Sequence, residues 1–95
     1  MKEHSETLDL ILCHKWYDMI EAGIKREEYR RKSDYWNKRF KKYSYKYVRF
    51  HRGYTNRTML FELKRIKMGF GNKEWGAPDE EVYIIYLGEL VGVGT

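Results

Sequence analysis

Runs of apolar residues, and regular alternations of apolar with polar residues, predict five strands and two helices along this chain. Strands are expected where β-branched and other apolar side chains dominate or occupy every second position. Helices are expected where apolar side chains recur three or four positions apart, with Gly23 ending the first helix and Ser33 capping the second. The predicted elements are, in order, strand 8–13, helix 14–22, strand 24–30, helix 34–41 and strands 45–51, 58–68 and 82–87.

This order favours a single α+β domain that spans residues 1–95. The last three predicted strands have no helices between them to form the crossovers that a parallel sheet requires. We therefore expect a small, mostly antiparallel, partly closed β-barrel of five or six strands with two helices packed against it. Gly92 and Gly94 lie in the tail 89–95, which we expect to be flexible.

Composition supports a folded domain and excludes several classes of protein. Aromatic residues make up 17% of the chain, which is too many for a disordered protein. The only cysteine, Cys13, excludes an internal disulfide, and its apolar neighbours predict that it is buried. The chain has neither the apolar stretch of a signal peptide near its start nor the roughly 20 apolar residues that span a bilayer. We expect no membrane association and a cytoplasmic location.

Positive charge is concentrated in one third of the chain. Residues 25–57 carry thirteen basic and three acidic side chains, whereas the net charge of the whole chain is +5. Such a concentration is typical of proteins that bind a polyanion. The alternative is a solvated face that keeps the protein soluble.

The densest group of chemically capable residues has the spacing G-x-K-x-x-E-x-R, formed by Gly23, Lys25, Glu28 and Arg30. Lys25 supplies a compact cation, Glu28 an acceptor or base, and Arg30 a planar donor suited to phosphate or carboxylate. Glu28 and Arg30 are two residues apart on a predicted strand, so they share a face and can meet. The structural alternative is an ordinary ion pair beside a glycine that ends a helix.

Residues 18–30, which contain this spacing, resemble the signature of ASCH domains, which are relatives of the PUA fold. Further stretches that resemble the family follow in the expected order, so the resemblance covers nearly the whole chain; they are Tyr35-Trp36, residues 49–54, Glu74-Trp75-Gly76 and residues 82–88. The resemblance implies a PUA-like barrel with a cleft lined by Lys25, Glu28 and Arg30, and an RNA-linked function.

Some small ASCH proteins resemble amidohydrolases that act on acetylcytidine with a lysine, a threonine and a downstream acid. Lys25 matches that lysine, but Glu28 stands at the threonine position, which removes the implied nucleophile. A carboxylate still can act as a general base, so Lys25 and Glu28 are candidate catalytic residues as an acid–base pair. Glu74 and Asp79 are candidates for the downstream acid.

Aromatic and basic residues near the motif are candidates for binding a nucleic acid, because bases stack on exposed rings and cations bind phosphates. The candidate rings are Tyr29, Tyr54 and Trp75. The alternative for each of them is that the ring packs in the core and binds no ligand. The candidate cations, besides Arg30, are Arg26, Arg31, Lys32, Arg49 and Arg52.

The three histidines have no metal-ligand spacing, so we expect neither a metal site nor a cofactor. His14 and His51 are interpreted as structural residues, with a role as general base as the alternative.

Three functions are consistent with these patterns. The leading hypothesis is a module that binds RNA or a nucleotide-like small molecule in a basic cleft around the motif. The alternatives are a hydrolase acting on a modified nucleoside or on RNA, and a transcription-associated protein-interaction module. The sequence leaves open whether the protein is an enzyme, which ligand it binds and its oligomeric state.

Overall fold

The computed structural model describes residues 3, 4 and 6–94 of the chain. Among these residues, seven strands and two α-helices follow one another, and a short 3₁₀ helix, Lys73–Trp75, lies in the loop before the last strand. The strands are β1 (Glu3–His4), β2 (Thr7–Leu12), β3 (Glu27–Arg31), β4 (Tyr43–Ser44), β5 (Tyr47–Arg52), β6 (Thr58–Gly69) and β7 (Val82–Gly94). The helices are α1 (His14–Glu21) and α2 (Asp34–Lys42).

Five strands form one curled sheet in the order β2-β5-β6-β7-β3, and β1 and β4 form a separate short parallel pair. Within the five-stranded sheet only β2 and β5 run parallel; the other three pairings are antiparallel. The register of β6 and β7 shifts three times between Leu60 and Arg65, and such bulges increase the twist of a sheet. The α+β fold class is therefore confirmed, as a five-stranded, mostly antiparallel half-barrel with two helices.

Both helices begin and end for local reasons. α1 is followed by Gly23, whose φ of +79° is a left-handed conformation that glycine adopts without strain. α2 starts at a cap in which the Ser33 side chain accepts a hydrogen bond from the Trp36 backbone N–H at 3.2 Å. The first turn of α2 carries Asp34, and its last turn carries three cations, so the charges complement the helix dipole. None of the described helices is long and apolar enough to cross a membrane.

Two apolar clusters lie on opposite sides of β7, because side chains alternate along a strand. The larger cluster contains Ile85 and Leu87 and is completed by β2, β5, β6 and both helices. The smaller cluster contains Val82 and Ile84 and is completed by Tyr29 of β3 and Ala77 of the loop 70–81. That loop therefore covers the face of β3 and β7 that the helices leave open.

The structure differs from the expectations at three places. The expected flexible tail is strand through Gly94, because β6 begins at Thr58 and its first residues pair with this part of β7; residue 95 lies outside the described residues. Cys13 is exposed, since the chain turns into α1 at this residue and Leu12 is the last inward-facing residue of β2. The third element is also shorter than expected, and Lys25 and Arg26 precede the strand.

Candidate functional site

The three charged residues of the motif meet in the folded chain. Lys25 Nζ lies 3.2 Å from Glu28 Oε1, and Arg30 Nη2 lies 2.9 Å from Glu28 Oε2. The Glu28 carboxylate thus accepts hydrogen bonds from two cations. The contact between Glu28 and Arg30 is the one predicted from their position on the same face of a strand. We call these three residues the motif cluster.

Local backbone structure places Lys25 at this cluster. The backbone N–H groups of Ile24 and Lys25 both donate to the Met19 carbonyl oxygen, so the chain folds tightly against the end of α1 after Gly23. Glu28 follows on β3, where it is paired with Ile85 of β7 and faces inward. The tight turn after α1 and the alternation of side chains along β3 therefore bring the Lys25 ammonium and the Glu28 carboxylate into contact.

The motif cluster is closed to solvent on the side of Lys25. Lys25 is 1% exposed and Glu28 is 6% exposed. Lys25 Nζ also donates to the Trp75 carbonyl oxygen at 2.6 Å, and it lies 5.3 Å and 4.6 Å from the ring centroids of Trp16 and Tyr29. Burial lowers the pKa of the Lys25 ammonium from its usual value, and the Glu28 carboxylate opposes that effect. The protein itself therefore supplies the contacts of this cation.

Arg30 links the two edges of the half-barrel. Besides its contact with Glu28, its Nη2 lies 3.3 Å from the Ile11 carbonyl oxygen, which it reaches from β3 across to β2. Its guanidinium lies 5.8 Å from the centroid of the Trp36 ring. The buried Nε atom has no hydrogen-bond partner within residues 6–94. Arg30 thus closes the gap between two strands that share no backbone ladder.

The loop 70–81 holds the motif cluster shut. The Tyr29 hydroxyl donates to Glu27 Oε1 at 2.8 Å and accepts from the Asn72 backbone N–H at 2.9 Å. Burial raises the pKa of the Tyr29 phenol above its usual value, so this donor stays protonated. Trp75 is partly buried and packs against the smaller apolar cluster. Tyr29 and Trp75 therefore have structural contacts, and their predicted roles in ligand binding stay predictions.

Within residues 6–94, neither candidate for a downstream acid forms an ion pair with this cluster. Glu74 is exposed on the 3₁₀ helix, and Asp79 forms an ion pair with Lys73 at 3.3 Å. A substrate for Lys25 and Glu28 requires displacement of the loop that supplies the Trp75 carbonyl. Their catalytic roles remain predictions.

The other predicted cations are spread over several surfaces rather than gathered around the motif. Arg52 forms two hydrogen bonds with Asp18, at 2.8 and 2.9 Å, which lower the pKa of that carboxyl. Arg26 donates to the Gly88 carbonyl oxygen at 3.3 Å, and Tyr54 is 95% exposed in the turn after β5. The remaining cations form exposed ion pairs, namely Arg49 with Asp9, Arg31 with Glu80 and Lys32 with Glu81.

The two histidines also have contacts that suit structural residues. His51 Nε2 lies 2.8 Å from Asp9 Oδ1, next to the Arg49 pair. His14 packs against Gly53, where a Cβ atom would lie 3.0 Å from the imidazole Nε2. Within residues 6–94 no group of three or more histidine, cysteine or acidic side chains is arranged to hold a metal ion.

A basic groove that sequence analysis did not identify lies between α2, β4 and β6. Its volume is about 370 Å³. Four basic residues line it, and within residues 6–94 no acidic residue does; they are Lys41, Lys64, Arg65 and Lys67. The Arg65 guanidinium lies 4.6 Å from the centroid of the Tyr86 ring, which packs against the smaller apolar cluster. The other lining residues are four with rings, of which Phe40 and Tyr45 belong to the larger apolar cluster, and five without. They are Phe40, Tyr43, Tyr45, Tyr83, Asn37, Ser44, Leu63, Ile66 and Met68.

One wall of the basic groove is a strand edge without a partner strand. β5 pairs with β6 only as far as Glu62, and the Leu63 N–H then donates to the Lys46 carbonyl. Beyond Leu63 no described strand pairs with this edge of β6, so backbone donors and acceptors face the groove. The opposite wall is anchored by Tyr83, which donates to Asn37 Oδ1 and packs edge-on against Phe40.

The basic groove escaped sequence analysis because its two basic walls are far apart in the chain. Lys41 belongs to the last turn of α2, whereas the other three cations lie near the end of β6. The available signal was the run Lys64, Arg65 and Lys67 on a strand otherwise rich in apolar residues.

Comparisons with protein-family models, curated proteins and solved structures give no match to this chain.

Proposed function

We propose that this domain binds single-stranded RNA in the basic groove. The observation that carries the proposal is the groove's lining, which combines four basic residues and two partly exposed rings, Tyr43 and Tyr83, with no acidic residue within the described chain. Cations contact phosphates, rings stack on bases and an unpaired strand edge can hydrogen-bond to base edges. The proposal keeps the RNA function that the sequence suggested and moves it away from the motif cluster.

Ion pairing distinguishes the groove cations from several cations elsewhere in residues 6–94. Arg31, Lys32, Arg49, Arg52 and Arg57 each have an acidic partner within 3.4 Å. Within residues 6–94, Lys41, Lys64 and Lys67 belong to none of the ion pairs. A phosphate that approaches the groove therefore meets no carboxylate of residues 6–94 in its lining.

The dimensions of the groove favour unpaired nucleotides over a duplex. A volume of about 370 Å³ lies within the range of roughly 300–1,000 Å³ typical of small-ligand sites. Rings and backbone groups are useful only to bases that are splayed out of a helix, and sequence-dependent RNA recognition mostly uses such bases. A duplex would present mainly its backbone.

The test compares two triple variants that each remove three positive charges. The groove variant is Lys41→Gln/Lys64→Gln/Lys67→Gln, and the control is Arg49→Gln/Arg52→Gln/Arg57→Gln on paired cations. Binding of a short labelled single-stranded RNA is measured by fluorescence anisotropy, and circular dichroism checks folding. We expect the groove variant to lose about tenfold or more in affinity, because phosphate contacts are lost, and the control to lose much less.

Equal losses in the two variants would show that only overall charge matters and would contradict the groove as the site. Absence of RNA binding by the wild type would remove the proposed function itself. A nucleoside monophosphate serves as a second probe, and comparable affinity for it would indicate a mononucleotide as the ligand in place of a strand.

A further inference from the structure

The second half of β7 has a bare edge. β3 pairs with β7 only over residues 82–86, and the Leu87 N–H then donates to the Arg26 carbonyl oxygen at 3.3 Å. The Arg26 guanidinium covers the next carbonyl, that of Gly88. From residue 89 to residue 94 no described segment pairs with this edge, although the other edge is paired with β6. We call residues 89–94 the β7 edge.

The β7 edge is apolar as well as unpaired. Leu90, Val91 and Val93 are 51%, 53% and 69% exposed, and Glu89 is the only charged residue of the segment. Leu90 and Val93 are paired with Phe61 and Met59, both of which are buried. Leu90 and Val93 therefore continue the apolar inner face of the sheet into a region that is exposed to solvent. Free edges of this kind usually carry a lysine or a proline, and the β7 edge has neither.

Unpaired backbone groups along an exposed edge suit an extended strand as the occupant. The β7 edge itself has the properties that such a strand needs. In an antiparallel pairing about a twofold axis between Val91 and Gly92, Leu90 of one copy lies opposite Val93 of the other. Glu89 then lies opposite Gly94, so the two carboxylates are separated along the strands.

Local charge permits a second copy at this place. The chain carries a net charge of +5, so two copies repel one another overall. No basic residue lies in residues 87–95, and the Arg26 guanidinium contacts this edge at Gly88, before residues 89–94 begin. We propose that the domain forms a twofold dimer through antiparallel pairing of the β7 edges of two copies.

The size of the edge sets the strength of this association. Stable interfaces bury about 800 Å² on each partner, which is more than six residues of one strand supply. β7 also holds one more residue than β6 at Val91, and such a bulge limits edge pairing. We therefore expect a dimer that forms reversibly with a dissociation constant on the order of 0.1–1 mM.

The experiment is sedimentation equilibrium over a range of concentrations up to the millimolar level. The disrupting variant is Val93→Lys, which adds a charge at a position that is 69% exposed and so outside the core. The control variant is Tyr54→Lys, which adds the same charge at a ring that is 95% exposed in a different part of the molecule. We expect the wild type and Tyr54→Lys to show the same monomer–dimer equilibrium, and Val93→Lys to weaken it at least about tenfold.

A wild type that is monomeric throughout this range overturns the proposal. The same result is expected if the β7 edge pairs with a strand of another protein instead of a second copy. A Val93→Lys variant that dimerises like the wild type also overturns it. The outcome is independent of RNA binding, because the basic groove lies along the part of β6 that pairs with residues 82–87 of β7. Both lysine variants are expected to bind RNA as well as the wild type does, within about twofold.

Discussion

A lysine ammonium that leaves water must exchange its hydration for contacts within the protein. Lys25 makes that exchange with a carboxylate, a backbone carbonyl and two ring faces, which come from β3, the loop 70–81 and α1. A buried ion pair is weak evidence of added stability, but removal of one partner is costly because the other charge is left uncompensated. Glu28 is therefore the residue on which the buried charges depend.

Glu28→Gln is expected to destabilise the fold by about 3–5 kcal/mol, because it leaves the buried Lys25 and the partly buried Arg30 without a counter-charge. The matched control is Glu80→Gln, which removes the same charge from the exposed Arg31–Glu80 pair, where the N···O distance is 3.1 Å. The control is expected to cost at most about 1 kcal/mol. Urea unfolding followed by tryptophan fluorescence measures both differences.

Similar small losses in the two variants would mean that the motif cluster is hydrated in solution. Such a result would favour the open cleft that the resemblance to ASCH domains implies. A large loss for Glu28→Gln alone would identify the G-x-K-x-x-E-x-R spacing as part of the protein's interior.

Sequence reasoning predicted which residues of the motif meet but not where they lie. A period of two along a strand is enough to place Glu28 and Arg30 on one face. Burial of Lys25 depends on the carbonyl of Trp75, which is fifty residues away in the chain. Local spacing carries no information about that contact, and therefore the motif was interpreted as a cleft rather than a closed cluster.

At the scale of elements, the loop 70–81 is shaped by two glycines that let it approach rings closely. A Cβ atom at Gly71 would overlap the Tyr29 ring. Gly76 has a φ of +96°, and a Cβ atom there would lie 2.8 Å from Cζ2 of the Trp16 ring. Because the same two rings flank Lys25 Nζ, the packing of this loop and the burial of the ammonium are linked.

Gly76→Ala is expected to destabilise the protein more than Gly23→Ala does. Both positions have positive φ, which costs a residue other than glycine about 1–2 kcal/mol. Gly23 has no atom within 4 Å of its hypothetical Cβ, so this comparison isolates the overlap with Trp16 at Gly76. Thermal unfolding of the two variants measures the difference, which we expect to be at least about 1 kcal/mol. Equal losses would indicate that the loop moves aside without cost.

The order and type of the main elements were predictable because each buries one face and so leaves a periodic pattern. Met59 and Phe61 on β6, for example, are both buried, as their alternation predicted. The end of β7 was not predictable, because Leu90, Val91 and Val93 are exposed and glycines interrupt them. That segment is a strand only because the beginning of β6 needs a partner at this place.

At the scale of the whole molecule, folding divides the basic third of the chain into two surfaces. Arg52 at the end of β5 and Arg57 in the turn that follows meet Asp18 and Glu21 of α1, so their charge is balanced by acids from the first part of the chain. Lys41 instead meets the three cations of β6, which come from outside residues 25–57. Net charge along the sequence predicts a polyanion partner at residues 25–57, whereas the function that we propose uses Lys41 together with three basic residues outside that segment.

The salt dependence of RNA binding tests how many groove cations contact phosphates. If all four do so, the slope of log K against log salt concentration is about −3, because each contact with a single strand contributes about −0.7. Lys41→Gln/Lys64→Gln/Lys67→Gln leaves only Arg65 and should reduce the slope to about −1. Fluorescence anisotropy titrations at several potassium chloride concentrations measure both slopes, with Arg49→Gln/Arg52→Gln/Arg57→Gln expected to keep the wild-type value. A wild-type slope near zero would mean that rings and backbone edges, rather than the cations, hold the ligand.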